Sequence, residues 1–161
     1  MERNELPKRK PIRLENFHYG AGYAYFITVC TEKREKTLSK IVGEGSSLPQ
    51  LTEFGEIINK NILSISDKYE NASVDSYVIM PNHIHLIISI IDDGRENPSP
   101  TVNSIIGWLK YQSTKEYCPN SKSKIFQRSF YDHVIRGRED YEEIARYIYE
   151  NPLNWENDEL Y

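Results

Sequence analysis

The chain has 161 residues, of which 27% are charged and 39% hydrophobic, and its formal net charge is −4. That length allows one domain with a substantial buried core, and no apolar run approaches the ~20 residues that span a bilayer. The net negative charge argues against a protein that coats nucleic acid with its whole surface, but it is compatible with a local basic groove.

The N-terminal stretch, residues 1–22, is basic and irregular, and residues 23–161 are expected to form a single domain. A solvated tail is the simpler interpretation of the basic stretch, and an arm lying along phosphates is the alternative. The stretch lacks the apolar core of a secretory signal. Cys30 and Cys118 form no CxxC pair and suggest no disulfide framework, so we expect a cytoplasmic location.

Downstream, the residue patterns predict the order strand, helix, strand, strand, helix, strand. A short strand at 38–42 and a loop at 43–49 precede the first helix, which Thr52 caps. This order is ferredoxin-like (βαββαβ), an α+β architecture in which two helices pack on one face of an antiparallel sheet. A further C-terminal helix is left over, and only the open face or an edge of the sheet can accommodate it. The main strands are expected at 23–31, 74–80, 83–91 and 130–136, and the helices at about 52–69, 102–118 and 139–149.

Two histidines open the third main strand, in the stretch MPNHIHLIISI. At a period of two, one face of this strand is wholly aliphatic, and the other face begins with His83 and His85. Two convergent neutral imidazoles suit a divalent transition metal. Half-exposed histidines with ordinary hydrogen-bond partners are the alternative, and a catalytic metal site also needs a third ligand and a reacting group.

The last helix carries residues that complete such a site. Tyr147 and Asn151 are four residues apart, so they lie on one edge of the helix, and Pro152 ends the helix at Asn151. Asn151 is therefore the candidate third metal ligand, and Tyr147 is the candidate nucleophile. Because the chain has twelve tyrosines, ordinary helix packing is the competing interpretation for any one of them.

Candidate contacts to a nucleic-acid backbone lie on the second helix and around the last main strand. Lysines and aromatics share the outer side of that helix, which is usual for a surface and also matches a groove that tracks a backbone. The histidine in the last main strand is a candidate phosphate contact or general acid, with a structural hydrogen bond as the alternative. The candidates are Lys110, Lys115, Arg128, His133 and Arg136.

Three blocks in this order, MPNHIHLI, SFYDHVIR and EDYEEIARYIYENP, give residues 23–154 a resemblance to the single-tyrosine HUH transposases. Within that superfamily the chain resembles the REP-associated tyrosine transposases and their insertion-sequence relatives. The resemblance places the metal-binding pair on His83 and His85 and the nucleophile on Tyr147. The helix ligand falls on Asn151. The resemblance implies Mg²⁺ or Mn²⁺ as cofactor, single-stranded DNA with a hairpin as partner, and cleavage and rejoining through a 5′-phosphotyrosine intermediate.

Two features depart from the pattern of that family. Phe126 stands where relatives commonly have Trp, and the acidic run at 156–159 argues against an extra DNA-binding tail. The resemblance leaves a monomer and a homodimer open, since some relatives exchange the tyrosine helix between subunits. A relaxase-like or replication-initiator nickase would use the same chemistry. A non-catalytic RRM-like module is the remaining alternative, although it would need aromatics where this chain has His83 and His85.

Overall fold

A computed structural model describes residues 22–43, 48–92 and 100–161. The predicted basic arm at 1–22 lies outside the described residues except for Gly22. Short 3-10 segments at Glu32–Arg34 and Asn151–Asn157 supplement the regular elements. The regular strands and helices are β1 (Gly22–Cys30), β2 (Ser39–Lys40), β3 (Gln50–Leu51), α1 (Glu53–Leu63), α2 (Ile65–Lys68), β4 (Ala72–Ile79), β5 (His83–Ile91), α3 (Val102–Tyr117), β6 (Tyr131–Val134) and α4 (Gly137–Glu150).

The main sheet has the strand order β4-β5-β1-β6, and every neighbouring pair is antiparallel. With two helices in the predicted chain positions, this confirms the α+β, ferredoxin-like architecture. β5 follows β4 after a tight reversal at Pro81–Asn82, where the Met80 amide donates to the His83 carbonyl at 2.8 Å. That reversal places both histidines at the very start of β5.

One face of the sheet carries the larger core, beneath α1 and α3. The even-numbered residues of β5 from Ile84 to Ile90 point into it, as do Ile27 and Val29 of β1. The N-terminus of α1 is capped by the Thr52 hydroxyl, which accepts from the Gly55 amide at 3.1 Å. The predicted alternation in β5 is therefore confirmed, because its aliphatic side is the side that the helices cover.

The other face of the sheet is covered by α4, through a second and smaller core. Tyr141, Ala145 and Ile148 of α4 are buried there against Val78 and Ile87 of the sheet. The left-over helix thus lies on the open face, as its apolar stripe predicts. β5 is consequently covered on both sides, and the face that bears the histidines is the face that meets α4.

Several boundaries differ from the predictions for local reasons. The first helix is interrupted at Ser64, whose hydroxyl donates back to the Lys60 carbonyl at 2.9 Å and competes with the helical ladder. The predicted strand at 38–42 shortens to β2, which pairs with β3. β3 borders the predicted loop at 43–49 and was not predicted. Within the described residues, no helix combines the length and hydropathy needed to cross a bilayer.

Candidate active site

His83 and His85 meet as a pair of buried imidazoles between the sheet and the end of α4. Their ring centroids are 4.5 Å apart, and the two residues are 0% and 2% exposed. Both project from the same face of β5 because they are two residues apart on a strand. The structure therefore brings the predicted pair together, and it excludes the half-exposed alternative.

The hydrogen bonds of Asn82 determine which nitrogen of His83 carries the proton. The Asn82 Nδ2 group donates to the Leu160 carbonyl at 2.5 Å, which orients the amide oxygen toward His83. That oxygen lies 2.7 Å from His83 Nδ1 and can only accept, so the network assigns the proton to Nδ1. His83 Nε2 is left with a bare lone pair directed away from β5.

His85 is held in a similar way by a neighbour on β1. Thr28 pairs with His85 in the sheet register, and its hydroxyl lies 2.8 Å from His85 Nδ1. The opposite nitrogen, Nε2, is buried and has no hydrogen-bond partner among the described residues. A buried polar atom without a partner is costly, so this nitrogen requires a partner that the described part of the chain does not supply.

Two oxygen-bearing side chains from beyond α4 complete the cluster. Asn151 Nδ2 donates to Asp158 Oδ2 at 3.0 Å, so Asn151 Oδ1 faces His83 Nε2 at 3.3 Å. With the proton of His83 on Nδ1, this is a contact between two lone pairs. Asp158 Oδ2 lies 3.9 Å from the same nitrogen. The donor atoms of His83, His85 and Asp158 all lie within 4.8 Å of one another.

This donor set fits a divalent metal ion. The lone pairs of His83 Nε2 and Asn151 Oδ1 face each other without a proton between them, and His85 Nε2 lies beside them without a hydrogen-bond partner among the described residues. A cation is the group that stabilises such an arrangement. Asn151 lies where it was predicted to lie. Asp158 was missed, because the acidic run at 156–159 was interpreted only as an argument against a DNA-binding tail. The signal for it was Trp155, a large apolar residue shortly after the helix end that predicts a chain folding back to bury it.

Burial dominates the electrostatics of the pair. Desolvation lowers the pKa of His83 to about 4, although the Asp158 carboxylate acts in the opposite direction. Desolvation and the neighbouring His83 lower the pKa of His85 well below the ordinary value of 6.5. Both imidazoles are therefore neutral at pH 7, which is the form that binds metals.

Tyr147 lies beside the histidines at the wall of an open cavity of about 820 Å³. Its ring centroid is 5.2 Å from that of His85, and the residue is 45% exposed. Burial and the Asp158 carboxylate raise the pKa of the phenol, while a hydrogen bond with Asn151 acts to lower it. The phenol is thus neutral without a cation nearby, yet it is open to a ligand in the cavity.

The five residues that were predicted to contact a nucleic-acid backbone differ from one another in their partners and exposure. Lys110 Nζ donates to the carbonyls of residues 127, 128 and 129, at 2.8, 3.3 and 3.4 Å. His133 Nε2 lies 3.0 Å from Asp140 Oδ2, which fits the structural alternative for this residue. Lys115, Arg128 and Arg136 are exposed. A phosphate contact by any of these five residues stays a prediction.

The chain matches the family model described as IS200-like transposase over residues 21–151. It is 31% identical over 170 residues to an uncharacterized protein of Haemophilus influenzae (strain Rd), and the alignment covers 95% of this chain and 93% of that protein.

Two solved structures share the fold. A REP-associated tyrosine transposase bound to a REP hairpin aligns with a TM-score of 0.63 and 23% identity, over 86% of this chain and 71% of that chain. A candidate transposase from Deinococcus radiodurans R1 aligns with a TM-score of 0.51 and 16% identity, over 83% and 93% of the respective chains. At these identities the likeness concerns the fold alone.

Proposed function

The chain belongs to the IS200-like transposase family, and on that premise we propose that it cleaves and rejoins single-stranded DNA through a covalent tyrosine intermediate. The observation that carries the proposal is the convergence of ligand atoms from His83, His85 and Asn151 beside the half-exposed phenol of Tyr147. A nucleophile next to a cation site on an open cavity is what phosphodiester cleavage requires.

The metal would be held by His83, His85 and Asn151, with Asp158 as a fourth protein ligand. Mg²⁺ or Mn²⁺ bound there would polarise the scissile phosphate and offset the charge that develops on it. Imidazole nitrogen favours Mn²⁺ over Mg²⁺. Thr28 and Asn82 would orient the two imidazoles by holding their Nδ1 atoms, as partners of metal-bound histidines generally do.

The proposed cleavage transfers the strand to Tyr147. The phenol oxygen forms a bond to phosphorus while the bond from phosphorus to the 3′-oxygen breaks. The phenol gives up its proton, and the released oxygen takes up a proton to become a 3′-hydroxyl. In rejoining, a 3′-hydroxyl attacks the 5′-phosphotyrosine and the tyrosine oxygen leaves, so the energy of the phosphodiester is conserved and no nucleotide cofactor is needed.

The substrate proposed is single-stranded DNA next to a hairpin, which draws support from the hairpin-bound transposase with the same fold. A relaxase-like nickase would share the chemistry and differ in its DNA. The RRM-like alternative loses support because His83 and His85 are buried, so those strand positions present no surface to a base. A cytoplasmic location is also proposed, in keeping with the two free cysteines.

The test is covalent attachment. The protein is incubated with Mn²⁺ and a set of labelled hairpins with single-stranded flanks, and a denaturing gel resolves any protein–DNA adduct. Tyr147→Phe should abolish the adduct and leave non-covalent affinity within about twofold, because only the phenol oxygen is lost. Tyr149→Phe is the matched control, since this residue lies about 200° further around the same helix. An adduct that depends on Tyr149 instead of Tyr147 would refute the assignment.

A further inference from the structure

The cavity beside Tyr147 has an acidic lining, which is unexpected for a site that receives DNA. Glu150, Asp158 and Glu159 line it, and among the described residues that line it none is a lysine or an arginine. Carboxylates repel the phosphates of an entering strand. Apart from the metal site, the described lining offers a phosphate no positive charge, so contacts with the neutral parts of a nucleotide, above all the base, are favoured inside this cavity.

Two aromatic side chains offer a surface for a base in the same cavity. In the sheet register Thr28 pairs with Tyr131 of β6, and Phe26 lies two residues from Thr28 on the same face of β1. The rings of Phe26 and Tyr131 meet edge to face, with centroids 6.3 Å apart and planes at 71°. Tyr131 is 59% exposed, so much of this residue is accessible to a ligand although it belongs to the sheet.

The pair is directly next to the proposed reaction centre. The Phe26 ring centroid is 5.2 Å from that of His85 and 6.1 Å from that of Tyr147. Phe26 thus contacts both Tyr131 and the proposed catalytic groups. A base stacked on this pair would therefore lie close to a phosphate bound at the proposed metal site.

The segment that leads into β6, residues 127–130, is held in place by contacts within the protein itself. Lys110 holds three successive carbonyls, those of residues 127–129, with a single ammonium. Phe130, the next residue, packs against the larger core. Tyr131 therefore projects from a tethered backbone, and little conformational entropy is lost when a ligand contacts it.

We infer that Phe26 and Tyr131 form a stacking site for the nucleobase adjacent to the scissile phosphate. The inference rests on the proposed function and adds to it how the strand is positioned. Stacking accepts any base, because every base has a π-face. The site would hold the strand in place for attack by Tyr147, while the choice of sequence would be made elsewhere.

The experiment compares two probes of equal charge, a labelled twelve-residue thymidine oligonucleotide and the same oligonucleotide with every base replaced by an abasic analogue. Binding is measured in Mn²⁺ by fluorescence anisotropy, with all variants in a Tyr147→Phe background that removes the nucleophilic oxygen and keeps the ring. Tyr131→Ala should weaken binding of the thymidine probe about 5- to 100-fold and leave abasic binding within about twofold. Tyr131→Phe should retain the affinity.

Tyr23→Ala is the matched control and should leave the affinity for both probes unchanged, since Tyr23 is 63% exposed on β1 and faces the side of the sheet opposite to Phe26. If Tyr131→Ala weakens both probes equally, or neither, the stacking site is refuted while a Tyr147-dependent adduct would still uphold the proposed function. If the Tyr147→Phe protein binds neither probe and the wild-type protein forms no adduct with any hairpin, the proposed function fails as well.

Discussion

Lowering the pH should destabilise the protein through the two buried imidazoles. His83 has a pKa of about 4 in the folded state because burial disfavours its charged form, whereas an unfolded histidine has a pKa of about 6.5. Between these values the unfolded chain binds more protons than the folded one, so stability falls as the pH falls. The contribution of His83 is fully present above about pH 7 and is lost progressively toward pH 4.

The size of this effect follows from the two pKa values. Between pH 7 and pH 5, linkage predicts a loss of about 2 kcal/mol of unfolding free energy for His83. His85 acts in the same direction, since its pKa is also lowered. Hydrogen bonds to Lys60 and to the Arg136 amide lower the pKa of Glu116 and of Asp140, respectively, so these carboxyl groups stay charged and contribute little in this window.

Urea denaturation at pH 7, 6 and 5, in the presence of a chelator and followed by tryptophan fluorescence, measures the loss. His83→Gln removes the titrating group, so it should lose about 2 kcal/mol less than the wild type between pH 7 and pH 5. Comparing the change with pH cancels any general cost of the substitution. An equal loss in His83→Gln and wild type would refute the claim that His83 is buried in its neutral form.

Four further predictions concern metal and DNA. Asp158→Asn should weaken Mn²⁺ binding at least about tenfold in calorimetry, because unit charges 4 Å apart attract by about 4 kcal/mol near a protein surface. Glu159→Gln makes the same charge change on the adjacent residue and should bind Mn²⁺ normally; equal affinities in the two variants would remove Asp158 from the ligand set. Thr28→Val should cost about 10- to 100-fold in Mn²⁺ affinity while Thr28→Ser retains it, and no difference between them would show that the hydroxyl does not orient His85. Mn²⁺ affinity should change less than about threefold between pH 7 and pH 5.5, because His83 has a pKa of about 4; two imidazoles with ordinary pKa values would lose about 100-fold. DNA affinity should fall steeply with salt, with a slope of about −0.7 in log K against log salt for each phosphate neutralised, and a flat dependence would contradict backbone binding.

The local patterns predicted most of what positions the site. The strand at His83–Ile91 has the predicted bounds, because its alternation is regular and both of its faces are covered. The last helix begins at Gly137 instead of residue 139, since the Asp140 carboxylate accepts from the Arg136 amide at its N-terminus. Strands β2 and β3 have two residues each, which is too short for any periodicity to indicate.

The residues that surround the histidines could not be predicted from local pattern. Thr28 reaches His85 only through the pairing of β1 with β5, and Asn82 orients His83 only because Leu160 returns to it. Asp158 depends on the same return of the chain, which Lys36 supports by lying 4.1 Å from the ring centroid of Tyr161. These contacts join residues far apart in sequence, and no short window contains both partners.

The packing of α4 on its own sheet has a consequence for experiments with mixed proteins. Tyr141, Ala145 and Ile148 bury one side of α4 against the strands of the same chain, so Tyr147 and His83 come from a single polypeptide. We therefore expect each copy of the chain to carry its own proposed site. Two inactive variants, one lacking Tyr147 and the other lacking His83, should not complement each other when mixed, because neither chain can lend its helix without opening its own core.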